Sequence, residues 1–146
     1  MLLNIPISIT PELIYALARM GHGDYLVIAD SNFPSDSIAN NCIVNIPIRV
    51  HGKTSAILHD ILQLIPIDEY AQQPVCVMDR VQIDKELHVS AYDDINAVIT
   101  QKRFNLNFVD RFDFYQQARG AFVIIQTDDV LPYANVIMYK GVITPI

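Results

Sequence analysis

The chain has 146 residues, 51% of them hydrophobic and only 18% charged, with a formal net charge of −6. That length is about one domain, read here as a single unit over residues 1–146. The acidity and the absence of a basic stripe argue against nucleic acid and anionic membrane as partners. No apolar run approaches the ~18 residues of a membrane span, and the N-terminus "MLLNIPISIT" has neither the charged start nor the cleavage site of a signal peptide. The charged fraction is below the roughly 25% of soluble domains, which points to surface buried between subunits.

Along the chain, Thr10-Pro11-Glu12 opens a helix: a capping hydroxyl, a proline suited to the first helical position and an acid at the positive dipole end. Leu13, Ile14, Leu17 and Met20 recur at helical spacing, and Gly21 follows as a C-terminal residue. Tyr25–Ala29 is short and wholly apolar, as a strand buried on both faces should be. Ser31–Asn41 is polar, contains Pro34 and reads as a loop. Cys42–Arg49 is a second strand, demoted toward an edge by Pro47. Thr54 or Ser55 caps a helix carrying Ile57, Leu58, Ile61, Leu62 and Ile65, which Pro66 stops. Val75–Met78 is another strand, Asp79–Asp94 a polar surface stretch, and Tyr92–Lys102 a helix. Asp110 caps a further helix, "RFDFYQQAR", ending at Gly120. Ala121–Thr127 and Asn135–Lys140 complete the strands, with a turn around Pro132. Alternation of strands and helices predicts an α/β layered domain, helices on both faces of a mostly parallel sheet. Cys42 and Cys76 sit in apolar runs and read as small buried hydrophobes, as a cytoplasmic protein would carry them.

Several chemistries lack their signatures: there is no Walker loop, GxGxxG or G-x-S-x-G. The four histidines do not fall at metal-ligand spacing, which leaves only a site assembled across the fold. "MGHGDYLVIADSNFP" is the most informative stretch. Glycines flanking His22 allow a sharp turn and close approach of a ligand, and an exposed imidazole there can exchange protons near neutral pH. The plain alternative is a turn histidine bonded to a nearby carbonyl. Asp30 closes a buried strand, where ligands of α/β sheets gather; it reads equally as a turn aspartate. "DRFDFYQQARGAF" groups Arg111, Tyr115 and Arg119 with an aromatic core face, or is simply an amphipathic helix. "PYANVIMYKG" offers Tyr133, Asn135 and the backbone between them to a polyol, or is simply a turn. By residue type alone these describe a neutral hydroxylated ligand with acid–base chemistry.

Together, "MGHGD…IADSNFP", "RFDFYQQARGAF" and "PYANVIMYKGV" resemble the signature blocks of the L-fucose mutarotase family, which is related to D-ribose pyranase. "TPELIYALARM" and "HDILQLIPIDEYAQQP" resemble its helical segments, so the likeness runs from Ile9 to Pro145. It implies a ribose pyranase/fucose mutarotase-like αβα fold and an isomerase that interconverts the α and β anomers of L-fucose without cofactor or metal. It implies His22 as catalytic acid/base, and Asp30, Arg111, Tyr133, Ala134 and Asn135 as sugar-binding residues. Tyr115 or Tyr133 is the candidate second proton carrier, with water as competitor. Gly23 and "RFDFY" are similar to the fucose branch; Ala134 is similar to the ribose branch. The resemblance also implies a ring-like homo-oligomer, a decamer, with sites near subunit contacts. A geometric argument agrees: if Tyr25–Ala29 is extended, His22 and Asp30 stand about 20 Å apart, so either the glycines fold His22 back or a neighbouring chain completes the site. The rival readings are a D-ribose pyranase, a sugar-binding module without turnover, and a metal-assisted sugar isomerase.

Overall fold

A computed structural model describes residues 1–145. The first helix, α1 (Pro11–Arg19), is capped as its sequence requires: the Thr10 hydroxyl accepts from the Leu13 N–H at 3.2 Å, with proline and Glu12 in the first turn. The remaining elements follow in the order β1 (Tyr25–Ala29), α2 (Ser35–Ala39), β2 (Ile48–Arg49), α3 (Thr54–Ile61), β3 (Val75–Met78), α4 (Ser90–Thr100), β4 (Asn107–Val109), α5 (Arg111–Ala118), β5 (Val123–Gln126) and β6 (Val136–Tyr139). A single 3-10 turn, Gln82–Asp84, lies between β3 and α4.

The strands form one sheet in the order β2-β5-β1-β6-β3-β4. Five run parallel; β6 alone is antiparallel, inserted between β1 and β3. Successive side chains of a strand point to opposite faces, so wholly apolar strands need cover on both. Leu26 and Ile28 pack with Leu13 and Leu17 of α1, Ile57 and Ile61 of α3, and Ile95 and Ile99 of α4. Val27 and Ala29 pack on the other face with Ile38 of α2 and Phe114 and Ala118 of α5. The expected layered αβα architecture with a mostly parallel sheet is the one observed. Cys42 and Cys76 are free and buried.

Three expectations are corrected, and one strand falls where none was expected. The strand expected over Cys42–Arg49 shrinks to Ile48–Arg49, whose only pairing is with Ile125 and Gln126 of β5; the edge position is where Pro47 can be accommodated. The polar stretch Ser31–Asn41 is not all loop, because Ser35–Ala39 forms a short helix that drops Ile38 and Ala39 onto the sheet. Asn107–Val109 is an edge strand whose mixed polarity hid it. Thr54 does not cap α3: its N–H donates to Asp129 Oδ2 at 2.9 Å and its hydroxyl to the Ala134 carbonyl at 2.7 Å. The position at the helix start was legible, but the partners come from a loop 75 residues or more away.

Thr54 and Ala134 are both fully buried. Thr54→Val keeps the shape and strands the Ala134 carbonyl without a donor, which costs about 1–3 kcal/mol. Urea unfolding is expected to show a lower midpoint with an unchanged slope; an unchanged midpoint would mean that this bond does not hold the loop.

Candidate functional site: a polar cleft at the strand ends

The parallel strands β1, β3 and β4 all end on one side of the sheet, and β6 begins there. At the end of β1, Asp30 is 5% exposed and tied down from every direction. Its N–H donates to Asn135 Oδ1 at 2.8 Å, and Asn135 Nδ2 donates to Asp30 Oδ2 at 3.1 Å. The Asn32 N–H donates to Oδ1 at 3.0 Å, and the Gln126 amide donates to the Asp30 carbonyl at 2.6 Å. Gln126 is itself fixed by the Ser35 hydroxyl at the start of α2. Burial pushes the Asp30 carboxyl up from its ordinary value, and the donors from Asn32, Asn135 and the Ala134 backbone oppose the shift. The register explains the pairing. Ile28 of β1 lies opposite Val136 of β6, so Asn135 comes level with Ala29, one residue short of Asp30.

Around this carboxylate opens a cleft of about 320 Å³, at the small end of the range for ligand sites and suited to a monosaccharide. Arg111 enters from the start of α5, a helix capped by Asp110, whose side chain accepts from the Asp113 N–H at 2.9 Å. The Arg111 Nε–H donates to the Tyr115 hydroxyl one turn on, at 3.2 Å. That leaves the phenol's own proton free for another acceptor. The Arg111 guanidinium also stands 5.4 Å from the Tyr115 ring centre, a cation–π contact that steadies both.

Tyr133 holds a left-handed backbone, φ 61°, sparsely populated for a bulky residue. The conformation aims its hydroxyl at the 3-10 turn, where it donates to Asp84 Oδ2 at 2.6 Å and accepts from the Val81 N–H at 3.2 Å. The Tyr133 proton is therefore committed to Asp84, and burial pushes this phenol up, with Asp84 adding to the shift. Ala134 contributes backbone alone, its methyl fully buried against Val89 and Ala91. Asp30, Arg111, Tyr115, Tyr133 and Asn135 thus line one cleft. Val81 and Asp84 line the cleft as well, within Asp79–Asp94, where polar composition predicts plain surface. The only local signal was the apolar Val81 and Ile83 interrupting a polar run.

His22 is not in this cleft. It lies beyond the other end of β1, where the Gly23 N–H donates to the Lys140 carbonyl at 3.0 Å and Gly23 takes the left-handed φ of 85°. The glycines do not fold the imidazole back toward Asp30. Instead it meets Asp68 at 3.1 Å from Nε2 and Tyr70 edge-on, ring centres 5.4 Å apart. Among the described residues, no group of three or more His, Cys, Asp or Glu side chains is placed to hold a metal ion, and no helix is long and apolar enough to cross a membrane.

Comparison with known proteins bears on this geometry. Residues 3–143 match the RbsD / FucU transport protein family, and the chain belongs to that family. It is 42% identical to a fucose mutarotase of Danio rerio, over 97% of this chain and 94% of the relative. A solved FucU from Bifidobacterium longum superposes with a TM-score of 0.88 at 38% identity, covering 96% of this chain and 99% of that one. A fucose mutarotase from Streptococcus pneumoniae, solved in complex with L-fucose, superposes at 0.86 with 31% identity, covering 98% and 100%.

The raised Asp30 carboxyl has a consequence for stability. Folded chain keeps this proton at pH values where unfolded chain, ionising near 3.8, has lost it. Asp30 therefore subtracts stability as pH rises from 3.8 through its folded value, and the loss is complete above that value. The stability of the unsubstituted chain minus that of Asp30→Asn is expected to decline across this window and then level off. Urea titrations at a series of acid to neutral pH values measure it; a difference that rises with pH would reverse the sign assigned to Asp30.

Proposed function

We propose that this protein is a cofactor-independent L-fucose mutarotase. The observation that carries the reading is the cleft at the strand ends, where a buried carboxylate, a guanidinium, two phenols and an amide converge in a space of monosaccharide size. Membership of the family and similarity to a mutarotase solved with L-fucose support the choice of sugar.

An aldopyranose changes anomer by opening its ring. The anomeric hydroxyl gives up a proton, the C1–O5 bond breaks with its electron pair going to O5, and O5 takes a proton. The carbonyl rotates and the ring closes on its other face. In this reading Asp30 and Asn135 accept from and donate to sugar hydroxyls, Arg111 donates to a sugar oxygen, and the Ala134 backbone keeps the floor of the cleft in place. Tyr133, its proton directed to Asp84, faces the sugar as an acceptor. Tyr115, with its proton free, is the better second proton carrier. His22 is the main acid/base. Because it stands at the far end of β1, it reaches the sugar from a neighbouring copy of the chain.

Exposed Leu2, Leu3, Ile7, Tyr15 and Ile46 on and around α1 support a homo-oligomer, since large apolar patches on a free surface mark contact sites. A ring-like decamer is the form proposed. Action in the cytoplasm is part of the same reading, supported by two unpaired buried thiols.

Saturation transfer between the α and β anomeric protons of L-fucose tests the reaction directly. Faster exchange in the presence of protein is expected, reduced about 10²-fold or more in His22→Gln while sugar still binds. Acceleration of D-ribose pyranose–furanose exchange alone would move the protein to the pyranase branch; saturable binding with no acceleration would leave a binding module. Tyr115→Phe should slow exchange more than Tyr133→Phe, which should chiefly weaken binding. Mixed oligomers of His22→Gln and Arg111→Ala should regain part of the activity each lacks alone. No recovery, or a fully active monomer in sedimentation, would sink the shared site.

A further inference from the structure

We infer that Asp84 is a sugar-binding residue of the cleft: one carboxylate oxygen holds Tyr133, and the other accepts a hydrogen bond from a non-anomeric ring hydroxyl. The inference rests on the reading of the cleft as a monosaccharide site and adds to it a second carboxylate with its own task.

A carboxylate offers two oxygens and about four lone-pair sites. Asp30 engages both of its oxygens within the chain, Oδ1 with the Asn32 N–H and Oδ2 with Asn135 Nδ2. Asp84 engages one. Its Oδ2 accepts from the Tyr133 hydroxyl at 2.6 Å, while among the described residues Oδ1 has no hydrogen-bond partner. Asp84 nevertheless lines the cleft.

The cations nearby are engaged elsewhere. Lys85, the next residue, donates from Nζ to Asp79 Oδ2 at 3.0 Å. Arg80 donates from Nη1 to the Leu87 carbonyl at 3.1 Å, and its Nε stands 3.8 Å from Asp79 Oδ1. Arg111, which lines the same cleft, donates from Nε to the Tyr115 hydroxyl. Among the described residues Asp84 therefore has no ion-pair partner. A carboxylate and a guanidinium that share a cleft without pairing suit a polyol. A sugar hydroxyl donates its one hydrogen to the carboxylate while its oxygen accepts from a second group. Bonds to a charged acceptor are also roughly twice as strong as neutral ones.

The turn that carries Asp84 is held without its side chain. The Asp79 N–H donates to the Val109 carbonyl at 2.7 Å at the end of β4, and Asp79 Oδ1 accepts from the Arg80 N–H at 2.7 Å. The Val81 N–H donates to the Tyr133 hydroxyl at 3.2 Å, and the Leu87 N–H donates to the Asp84 carbonyl at 2.8 Å. Tyr133, in its left-handed conformation, then fixes which oxygen of Asp84 is left for a ligand. The hydroxyl that Asp84 receives is not the reacting one. In the proposed reaction C1 lies beside the proton carrier Tyr115 on α5, whereas Asp84 comes from the turn between β3 and α4.

The test measures, by calorimetric titration of the full-length protein, the affinity for L-fucose and for analogues each lacking the hydroxyl at C1, C2, C3 or C4. The unsubstituted chain gives the penalty for each missing hydroxyl. In Asp84→Ala, L-fucose should bind about 10-fold or more weakly, as for a lost bond to a charged acceptor. The penalty at one of C2, C3 and C4 should shrink by a similar factor, while the others change by less than about twofold. Asp84→Asn, whose amide oxygen can still accept the Tyr133 proton and spare the turn, should shrink the same penalty. A general disturbance of the cleft would weaken every ligand alike and leave the penalties as they were; that pattern in the two variants would overturn the inference. So would coupling at C1, which would make Asp84 a partner of the reacting hydroxyl. If the unsubstituted chain bound no L-fucose, the monosaccharide reading itself would fall, and the inference with it.

Discussion

The insertion of one antiparallel strand between two parallel ones is the constraint on which the rest depends. Were β1 and β3 direct neighbours, β6 would not lie beside β1 and Asn135 would not open next to Asp30. Because β6 runs back between them, its first residues reach the carboxyl ends of the parallel strands and its last residues reach their amino ends. Asn135 meets Asp30 at one end; Tyr139 and Lys140 meet Asp68 and Gly23 at the other. A single four-residue strand, Val136–Tyr139, therefore anchors both polar clusters. Its own interior is apolar and fully buried, and its ladder bonds to β1 and β3 fix the register of both ends together.

The two clusters differ in burial and in what surrounds them. Asp30 is buried and surrounded by donors that hold its orientation; its carboxyl is pushed up by desolvation, which the surrounding hydrogen bonds reduce without cancelling. A carboxylate so fixed suits recognition of hydroxyl groups in defined directions. His22 is the reverse, an exposed ring resting on a buried carboxylate, able to meet something that arrives from outside the chain. Segregation of fixed binding groups and a projecting acid/base at opposite ends of one strand is what gives subunit contact a catalytic meaning in this reading. The same segregation keeps the imidazole away from Asp30, so neither group's charge is tied up by the other.

Long-range polar bonds of loops do most of the positioning. Asp129 accepts from the Thr54 and Leu131 N–H groups, and its carbonyl accepts from Ser31. Three segments far apart in sequence are thereby joined beneath the cleft. Tyr133 adds a left-handed backbone conformation, maintained because the proton of its hydroxyl and one of its lone pairs are engaged by the turn at Val81 and Asp84. The partners in these bonds have no local signature. A polar loop residue that bonds a distant backbone reads, in one dimension, like any other polar loop residue.

Short-range physics makes part of this fold legible in the order of residues alone. The doubly buried strands Tyr25–Ala29 and Val75–Met78 announce themselves by unbroken apolar runs, and α1 and α5 by Thr10 and Asp110 at their caps. Residue types marked Asp30, Arg111, Tyr115, Tyr133 and Asn135 as candidates with a plain turn or helix reading beside each, and their resemblance to a known family grouped them. That these five share a cleft, that Asp84 lines it with them, and that His22 stands at the opposite end of β1 against Asp68 emerges from the assembled sheet. The reason is that strand order and direction are not written locally: whether β6 pairs with β1, and which way it runs, depends on the packing of both sheet faces at once. That choice sets which loop ends meet, and the two polar clusters follow from it.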